Sequence, residues 1–346
     1  MSAEVTFHTA APVAVEAVGR HLPDRTHTVA ELPELAGLSE ADRLTCLNLG
    51  IETVLADDGL TSYDLAERAA RAALDRAGLP AASLGALIVI EPRAPETLIS
   101  SDATRLQHAL GADAATVFTV GGLGCVSVTP ALLAARGLLA ADPSLGHVLV
   151  AHGSKPAGGA RYRHPVTVNG DGGQALLLTR PHPAAPIRVL DLVQRTDGRY
   201  WDLFRLEYRD RPTARWREEC RDLPGYSFRL AMETRNRLGA LVDELLSRNG
   251  LTRADIAGYA SQNLSAGGLA FTEETLEIGL LPSCRENLRR FGHLGPNDVF
   301  LNLGTALAGR ELAEGDLAVL LNVSPVAAWS ALLVEIGPQH GREGTA

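Results

Sequence analysis

Short apolar runs with the look of buried strands alternate with runs of helical period along most of the 346-residue chain. In the first half, strands are expected at "VAVEAVG" (13–19), "LGALIVIE" (84–91), "ATVFTVG" (115–121), "HVLVAHG" (147–153) and "GQALLLTR" (173–180). Helices are expected at "SYDLAERAARAALDRAG" (62–78), at "SDATRLQHALG" (101–111) and in the amphipathic run that follows residue 125. The order then repeats. "IRVLDLVQR" (187–195) reads as a strand, and "SFRLAMETRNRLGALVDELLSRNG" (227–250) as a long helix stopped by Asn-Gly. "IAGYASQNLS" (256–265) reads as strand and turn, and "TEETLEIGL" (272–280) as a helix. "PNDVFLNLGTALAGREL" (296–312) reads as a helix with Pro and Asp at its start, while "DLAVLLNV" (316–323) and "WSALLVEIG" (329–337) close as strands. This is an α/β pattern. Two similar halves imply an internal duplication at a period far longer than a solenoid's. The join is expected at the three prolines of "TRPHPAAP" (179–186), which divides the chain into residues 1–182 and 183–346.

One segment fits neither template. Residues 199–228, "RYWDLFRLEYRDRPTARWREECRDLPGYSF", are dense in Arg and aromatics without clear periodicity. They read as a solvated loop or cap, or as a rim that meets a ligand or an acidic partner.

Composition narrows the class. The chain is 46% hydrophobic and 21% charged, as a soluble globular protein is, and its net charge of −9 argues against a nucleic-acid binder. Four cysteines (Cys46, Cys125, Cys220, Cys284) show no CxxC or metal-like spacing, and the ten histidines show no HExxH, so neither disulfides nor a metal is expected. The opening "MSAEVTFHTAAPVAVEAVG" lacks the basic and apolar regions of a signal peptide, and no run reaches the roughly 20 apolar residues of a membrane span. The expectation is a soluble, cytoplasmic protein with no membrane partner.

Chemistry centres on "VFTVGGLGCVSVTPALLAARGLLA" (117–140), where Cys125 stands at a strand-to-helix seam. Three roles are open: a buried filler, a turn residue after glycines, or a nucleophile. A helix N-terminus offers unpaired N–H groups and positive potential, which lower a thiol's pKa and cradle an oxyanion. A dinucleotide site is excluded, because "GGLGCV" lacks the third glycine of GxGxxG and no acidic residue follows at the required place.

Taken in order, "GGLGCV", "NGDGGQALLLTR" (169–180), "FGHLGPNDVFLNLGTAL" (291–307) and "EGDLAVLLNVSPVAAWSALLVE" (314–335) resemble β-ketoacyl-acyl-carrier-protein synthase III and its thiolase-fold relatives. The resemblance runs from "AVGRHLPDR" to "WSALLVEIG". It implies a duplicated α-β-α-β-α five-layer thiolase-like fold, a homodimer, and Cys125 as the cysteine acylated by a thioester. It also implies that the glycine-rich turn at 169–173 is structural, and that no cofactor is tightly bound, acyl-CoA or a phosphopantetheinyl acyl carrier protein serving as substrate.

The departures from the family are informative. Its synthases stabilise the enolate of a malonyl donor with a His and an Asn. Here "ASQNLS" holds Ser261, Gln262 and Asn263 where the His-containing run belongs, and His293 stands in "GHLG" where the Asn belongs. One imidazole beside a thiol suits transfer to an incoming hydroxyl or amine. This resembles the acyltransferase branch of the family in natural-product (polyketide) pathways, with a small-molecule acceptor. Asp298, or Asn302 one helical turn further, is the candidate partner for His293, although an acid at a helix start also simply complements the dipole. Asn263 is a candidate polar orienter.

The oxyanion hole is expected from the backbone N–H groups of Cys125 and Val326, because the family's glycine falls on Pro325, which has no N–H. The adenine clamp is missing at "RLTCLNLG" (43–50), where Leu44 and Asn48 stand. Arg229 falls where the family has a basic residue facing the carrier protein, and Arg217, with Arg215 and Arg221, extends that rim. This favours a carrier-protein donor over CoA. Two other readings stay open: a decarboxylative Claisen-condensing synthase with a rearranged site, and a catalytically silent partner subunit.

Overall fold

The computed structural model describes residues 12–339; residues 1–11, which bear on the signal-peptide expectation, lie outside it. Nine strands make the main sheet: β1 (Val13–His21), β2 (Ala86–Ile90), β3 (Thr116–Val120), β4 (His147–Ser154), β5 (Gly172–Thr179), β6 (Ile187–Thr196), β7 (Gly258–Ala260), β8 (Leu317–Ser324) and β9 (Ala328–Ile336). Their spatial order is β7-β8-β9-β6-β1-β5-β4-β2-β3. The first half supplies one block and the second half the other. They meet where Val13, Ala14 and Val15 pair antiparallel with Val189, Arg188 and Ile187.

Beside three small two-stranded sheets, the described residues hold eight α-helices: α1 (Glu40–Leu47), α2 (Ser62–Ala77), α3 (Asp102–Leu110), α4 (Val128–Ala141), α5 (Ala231–Arg248), α6 (Ala266–Leu276), α7 (Pro282–Phe291) and α8 (Asp298–Ala308). Three cores set their layers. On one outer face, Ala66, Ala69, Ala70 and Ala73 of α2 pack on Leu87, Val89, Leu149 and Leu177. In the middle, Val128, Leu132 and Ala135 of α4 share a core with Val299, Phe300 and Leu303 of α8. Ile88 and Val150 come from one block of the sheet to meet them, and Leu320 and Leu332 from the other. On the far face, Leu238, Leu241, Val242 and Leu245 of α5 cover Val319, Leu321 and Leu333. Successive residues of a strand therefore serve different cores, which is why these strands read as continuous apolar runs and not as alternations. The layers run α-β-α-β-α, the thiolase-like arrangement.

Local chemistry explains the boundaries. Helix α2 starts at a capping box: the Thr61 hydroxyl accepts from the Asp64 N–H at 3.1 Å, and the Asp64 carboxylate accepts from the Thr61 N–H at 2.8 Å. It lies close on the sheet because a Cβ at Gly153 would stand 1.7 Å from the Ser62 carbonyl oxygen.

Several expectations need correction. The helix expected at 272–280 is α6, which starts earlier, because the Ser265 hydroxyl caps it by accepting from the Gly268 N–H at 3.0 Å. It ends at Glu277, whose φ of +56° breaks the helical path. The long helix expected from 227 opens with a wider π-helical turn, Gly225–Leu230, before α5 proper. Helices α1 and α7 went unread; both are short, and α7 carries four charged residues in "PSCRENLRRF". Finally, the 18 residues Gly124–Ala141 are long and apolar enough, at a mean hydropathy of 1.5, to cross a membrane. Their apolarity has a different cause here: α4 is the helix of the middle layer, with apolar neighbours from both blocks of the sheet.

Candidate active site

The site is assembled where the middle-layer helices begin. Cys125 sits in one 3₁₀ turn, Gly124–Ser127, that runs directly into α4. Gly124 has φ +54°, and a Cβ there would lie 2.7 Å from the Ser324 hydroxyl, so only glycine lets the hairpin between β8 and β9 close over the cysteine. His293 follows α7 and precedes α8. Its N–H donates to the Val168 carbonyl, and its own carbonyl accepts from the Gly170 N–H, both at 3.0 Å. The glycine-rich turn thus holds the backbone of His293 in place.

Three expected residues form one buried chain. Cys125 Sγ is 3.1 Å from His293 Nε2, and His293 Nδ1–H donates to Asp298 Oδ2 at 2.6 Å. Asp298 Oδ2 also accepts the Asn263 N–H at 2.9 Å, and Oδ1 accepts the Leu294 N–H at 2.8 Å. Asp298, the first residue of α8, therefore anchors the Asn263 and Leu294 peptides and orients the imidazole at once. Asn302 is not the partner of His293, because its amide donates to the Ser261 carbonyl at 2.6 Å and to Asn263 Oδ1 at 2.9 Å. Asn263 meets the chain through its peptide N–H, while its side chain is turned to Asn302.

Electrostatics favour a thiolate–imidazolium pair. Burial alone pushes the Cys125 thiol up. The His293 charge and hydrogen bond, with the Arg163 and Arg93 guanidiniums, outweigh burial and leave the thiol below its ordinary value. Burial pulls His293 down, but the Cys125 and Asp298 charges and hydrogen bonds raise it above the ordinary imidazole value.

The thiol opens onto a cavity of about 320 Å³, lined also by Gly121, Gly122, Ser324, Pro325 and Val326. Val326 N–H is 3.5 Å from the Ser324 hydroxyl, a weak engagement that leaves it available to a ligand oxygen. Arg229 is exposed and paired with Asp222, and Arg217 is exposed; neither lines this cavity.

Four lining residues have no signal in the sequence that singles them out: Arg93, His152, Arg163 and Glu218. Glu218, with Phe204, Arg205 and Leu206, comes from the aperiodic 199–228 segment, so part of that segment walls the cavity. His152 Nδ1 stands 3.1 Å from the Ile90 carbonyl and must carry the proton there. Burial first, and then the nearby Arg93 and His293 charges, pull its pKa down to about 4 despite that bond. His152 is therefore neutral at physiological pH, and its Nε2 is an acceptor.

Thiol reactivity separates the cysteines. Burial pushes Cys46 and Cys284 up to about 12 and also raises Cys220, whereas Cys125 is lowered. Brief iodoacetamide treatment at pH 7 is expected to alkylate Cys125 more than about tenfold faster than any other cysteine. Peptide mapping by mass spectrometry checks this, and even labelling of all four would remove the thiolate argument.

No family model matches the chain. Among curated proteins, it is 29% identical over 330 residues to the β-ketoacyl-[acyl-carrier-protein] synthase III of Cereibacter sphaeroides, covering 92% of this chain and 98% of that protein. Among solved structures, the 3-oxoacyl-(acyl carrier protein) synthase III of Pseudomonas aeruginosa PAO1 superposes with a TM-score of 0.77 at 19% identity. The match covers 95% of this chain and 99% of that one. The acyltransferase ChlB3 superposes with a TM-score of 0.78 at 23% identity, covering 94% and 98%. Fold, chain-long alignment and a cysteine–imidazole pair at the head of a middle-layer helix point the same way: the chain is similar over nearly its whole length to β-ketoacyl-acyl-carrier-protein synthase III proteins and shares their thiolase-like fold.

Proposed function

We propose that this protein is a non-decarboxylating acyltransferase of natural-product biosynthesis that passes an acyl group through Cys125 to an oxygen or nitrogen nucleophile. The carrying observation is the Cys125–His293–Asp298 chain, at 3.1 and 2.6 Å, in place of a two-donor enolate site. Cys125 thiolate attacks the thioester carbonyl, and the N–H groups of Cys125 and Val326 receive the oxyanion. The carbonyl re-forms as the carbon–sulfur bond of the donor breaks, and His293 Nε2–H protonates the departing thiolate. The acceptor hydroxyl or amine then attacks the acyl-cysteine, His293 Nε2 takes its proton, and Cys125 leaves as thiolate. Asp298 holds the Nδ1 proton throughout. The similarity to ChlB3 supports the same branch.

Decarboxylative condensation finds less support. An enolate oxygen needs two donors, and the imidazole that lines the cavity, His152, presents an acceptor. Retention of the complete chain likewise speaks against a silent partner.

A second cavity of about 270 Å³, lined by Tyr226, Leu230, Phe271 and Val323, shares Pro325 with the first. This supports a phosphopantetheine path, with a carrier protein or CoA as donor; Arg229 belongs to the π-helical turn whose Tyr226, Ser227 and Leu230 line that second cavity. A homodimer is supported by two features. Strand β3 is an unpaired sheet edge, and Leu98 and Ile99 stand 70% and 106% exposed nearby in the chain.

The test offers malonyl and simple acyl thioesters with hydroxyl and amine acceptors. Ester or amide product without carbon dioxide is expected. Carbon dioxide release coupled to carbon–carbon bond formation would establish the condensing alternative.

A further inference from the structure

We propose that the substrate carries a carboxylate, held in the Cys125 cavity by Arg93 and Arg163; this deepens the acyl-transfer reading and rests on it. Both guanidiniums line that cavity, and the Arg163 side chain is only 5% exposed. One half-buried carboxylate faces the two. Glu218 Oε2 lies 3.1 Å from Arg163 Nη1, and Glu218 Oε1 lies 3.7 Å from Arg93 Nε. Two cations thus share one anion. The cavity's other acid, Glu91, and its other base, Arg205, are solvent-exposed, and Arg205 is paired with Glu207.

Hydrogen bonding is as incomplete as charge. Arg93 Nη1 donates to the Ser154 hydroxyl and the Lys155 carbonyl, both at 2.9 Å. Arg93 Nη2 and Arg163 Nε and Nη2 are buried with no partner. Buried guanidinium N–H groups without acceptors are rare, because losing water without replacement is costly. A planar fork with free N–H groups is the geometry that carboxylates satisfy. Gly295 adds room: even a Cβ there would stand 3.3 Å from Arg93 Nη2 and 3.7 Å from His152 Nε2, so no side chain fills the space before them.

Before reaction the Cys125 thiolate contributes negative charge beside both arginines. Acylation removes that charge together with the His293 proton given to the leaving thiolate, so the two arginines still face the single Glu218 carboxylate in the acyl-enzyme. One surplus charge matches a monoanion, and a cavity of about 320 Å³ suits a short carboxylated chain rather than a long fatty one.

The carboxylate resides on the acyl group or on the acceptor, and the experiment separates these. One arm compares the rate at which Cys125 is acylated by a succinyl thioester and by the neutral butyryl thioester, read by intact mass. The other compares deacylation of the butyryl enzyme by a short hydroxy acid and by its amide. The carboxylated partner is expected to react at least about tenfold faster in one arm, with the preference lost in Arg93→Met and weakened in Arg163→Lys, which keeps the charge but not the fork. Equal rates in both arms overturn the proposal.

A further measurement needs no acyl transfer: alkylation of Cys125 by iodoacetate against iodoacetamide. The ratio is expected to fall in Arg93→Met. If no thioester acylates the protein, the acyl-transfer reading fails while this ratio still judges the anion site; an unchanged ratio overturns it.

Discussion

Cys125→Ala is expected to abolish acyl transfer, lowering the rate by about 10⁴-fold or more, because no other thiol lines the cavity and Cys125 is the group paired with the His293 imidazole. The remaining cysteines cannot substitute, since burial holds Cys46 and Cys284 at about 12 and Cys220 above its ordinary value. The fold should survive. The side chain is small, and alanine leaves the 3₁₀ turn and the start of α4 intact. One electrostatic consequence is specific. Cys125 raises the His293 pKa by charge and by hydrogen bond, so the variant's imidazole should titrate lower, with burial then less opposed. A histidine NMR titration of wild type and variant reads that shift. Residual acyl transfer at anything near the parental rate would move the nucleophile elsewhere.

Asp298→Asn should be nearly as damaging, by about 10⁴-fold, by analogy with other cysteine- and serine-type triads in which an amide enforces the wrong tautomer. The carboxylate accepts three N–H groups: His293 Nδ1–H and the peptide N–H groups of Asn263 and Leu294. An amide has one acceptor oxygen, so its NH₂ must face at least one donor. Each lost bond in this buried setting costs about 1–3 kcal/mol, and melting temperature should fall together with activity. The pH profile distinguishes catalysis from mere instability. Asp298 raises the His293 pKa, and the His293 charge lowers the Cys125 pKa. Removing the acid charge therefore lowers the imidazole value and raises the thiol value. The acid limb of Cys125 alkylation should move to higher pH. An Asp298→Asn protein that is unstable yet alkylates with the parental pH profile would reduce Asp298 to an anchor for the Asn263 and Leu294 peptides.

Most of the layer architecture was readable because strands buried on both faces announce themselves. "LGALIVIE" and "HVLVAHG" have few polar positions to place in water, and Leu87 and Ile88 do end in different cores. Short helices with charged faces, such as α1 and α7, leave a weaker periodic trace, and a glycine pair disguised the start of α6. Within the site, Cys125, His293 and Asp298 were legible because motif order brought them together and Asp298 follows His293 by five positions along the chain. Arg93, His152, Arg163 and Glu218 were not. They reach one cavity from four separate segments, and only the folded chain shows that the arginines outnumber their acid. The aperiodic 199–228 stretch illustrates the same point: its composition left a solvated loop and a ligand rim both open, and Phe204 and Glu218 line the thiol's cavity.

The account depends on an acyl group resting covalently on Cys125 until an acceptor removes it. The most direct measurement is intact mass spectrometry of the protein exposed to a panel of acyl thioesters, followed by a chase with hydroxyl and amine acceptors. The account predicts one acyl mass added per chain, mapped to the peptide containing residue 125, and discharged by acceptor without loss of carbon dioxide. A protein that takes up no acyl mass from any donor, or carries it on a residue other than Cys125, would contradict it.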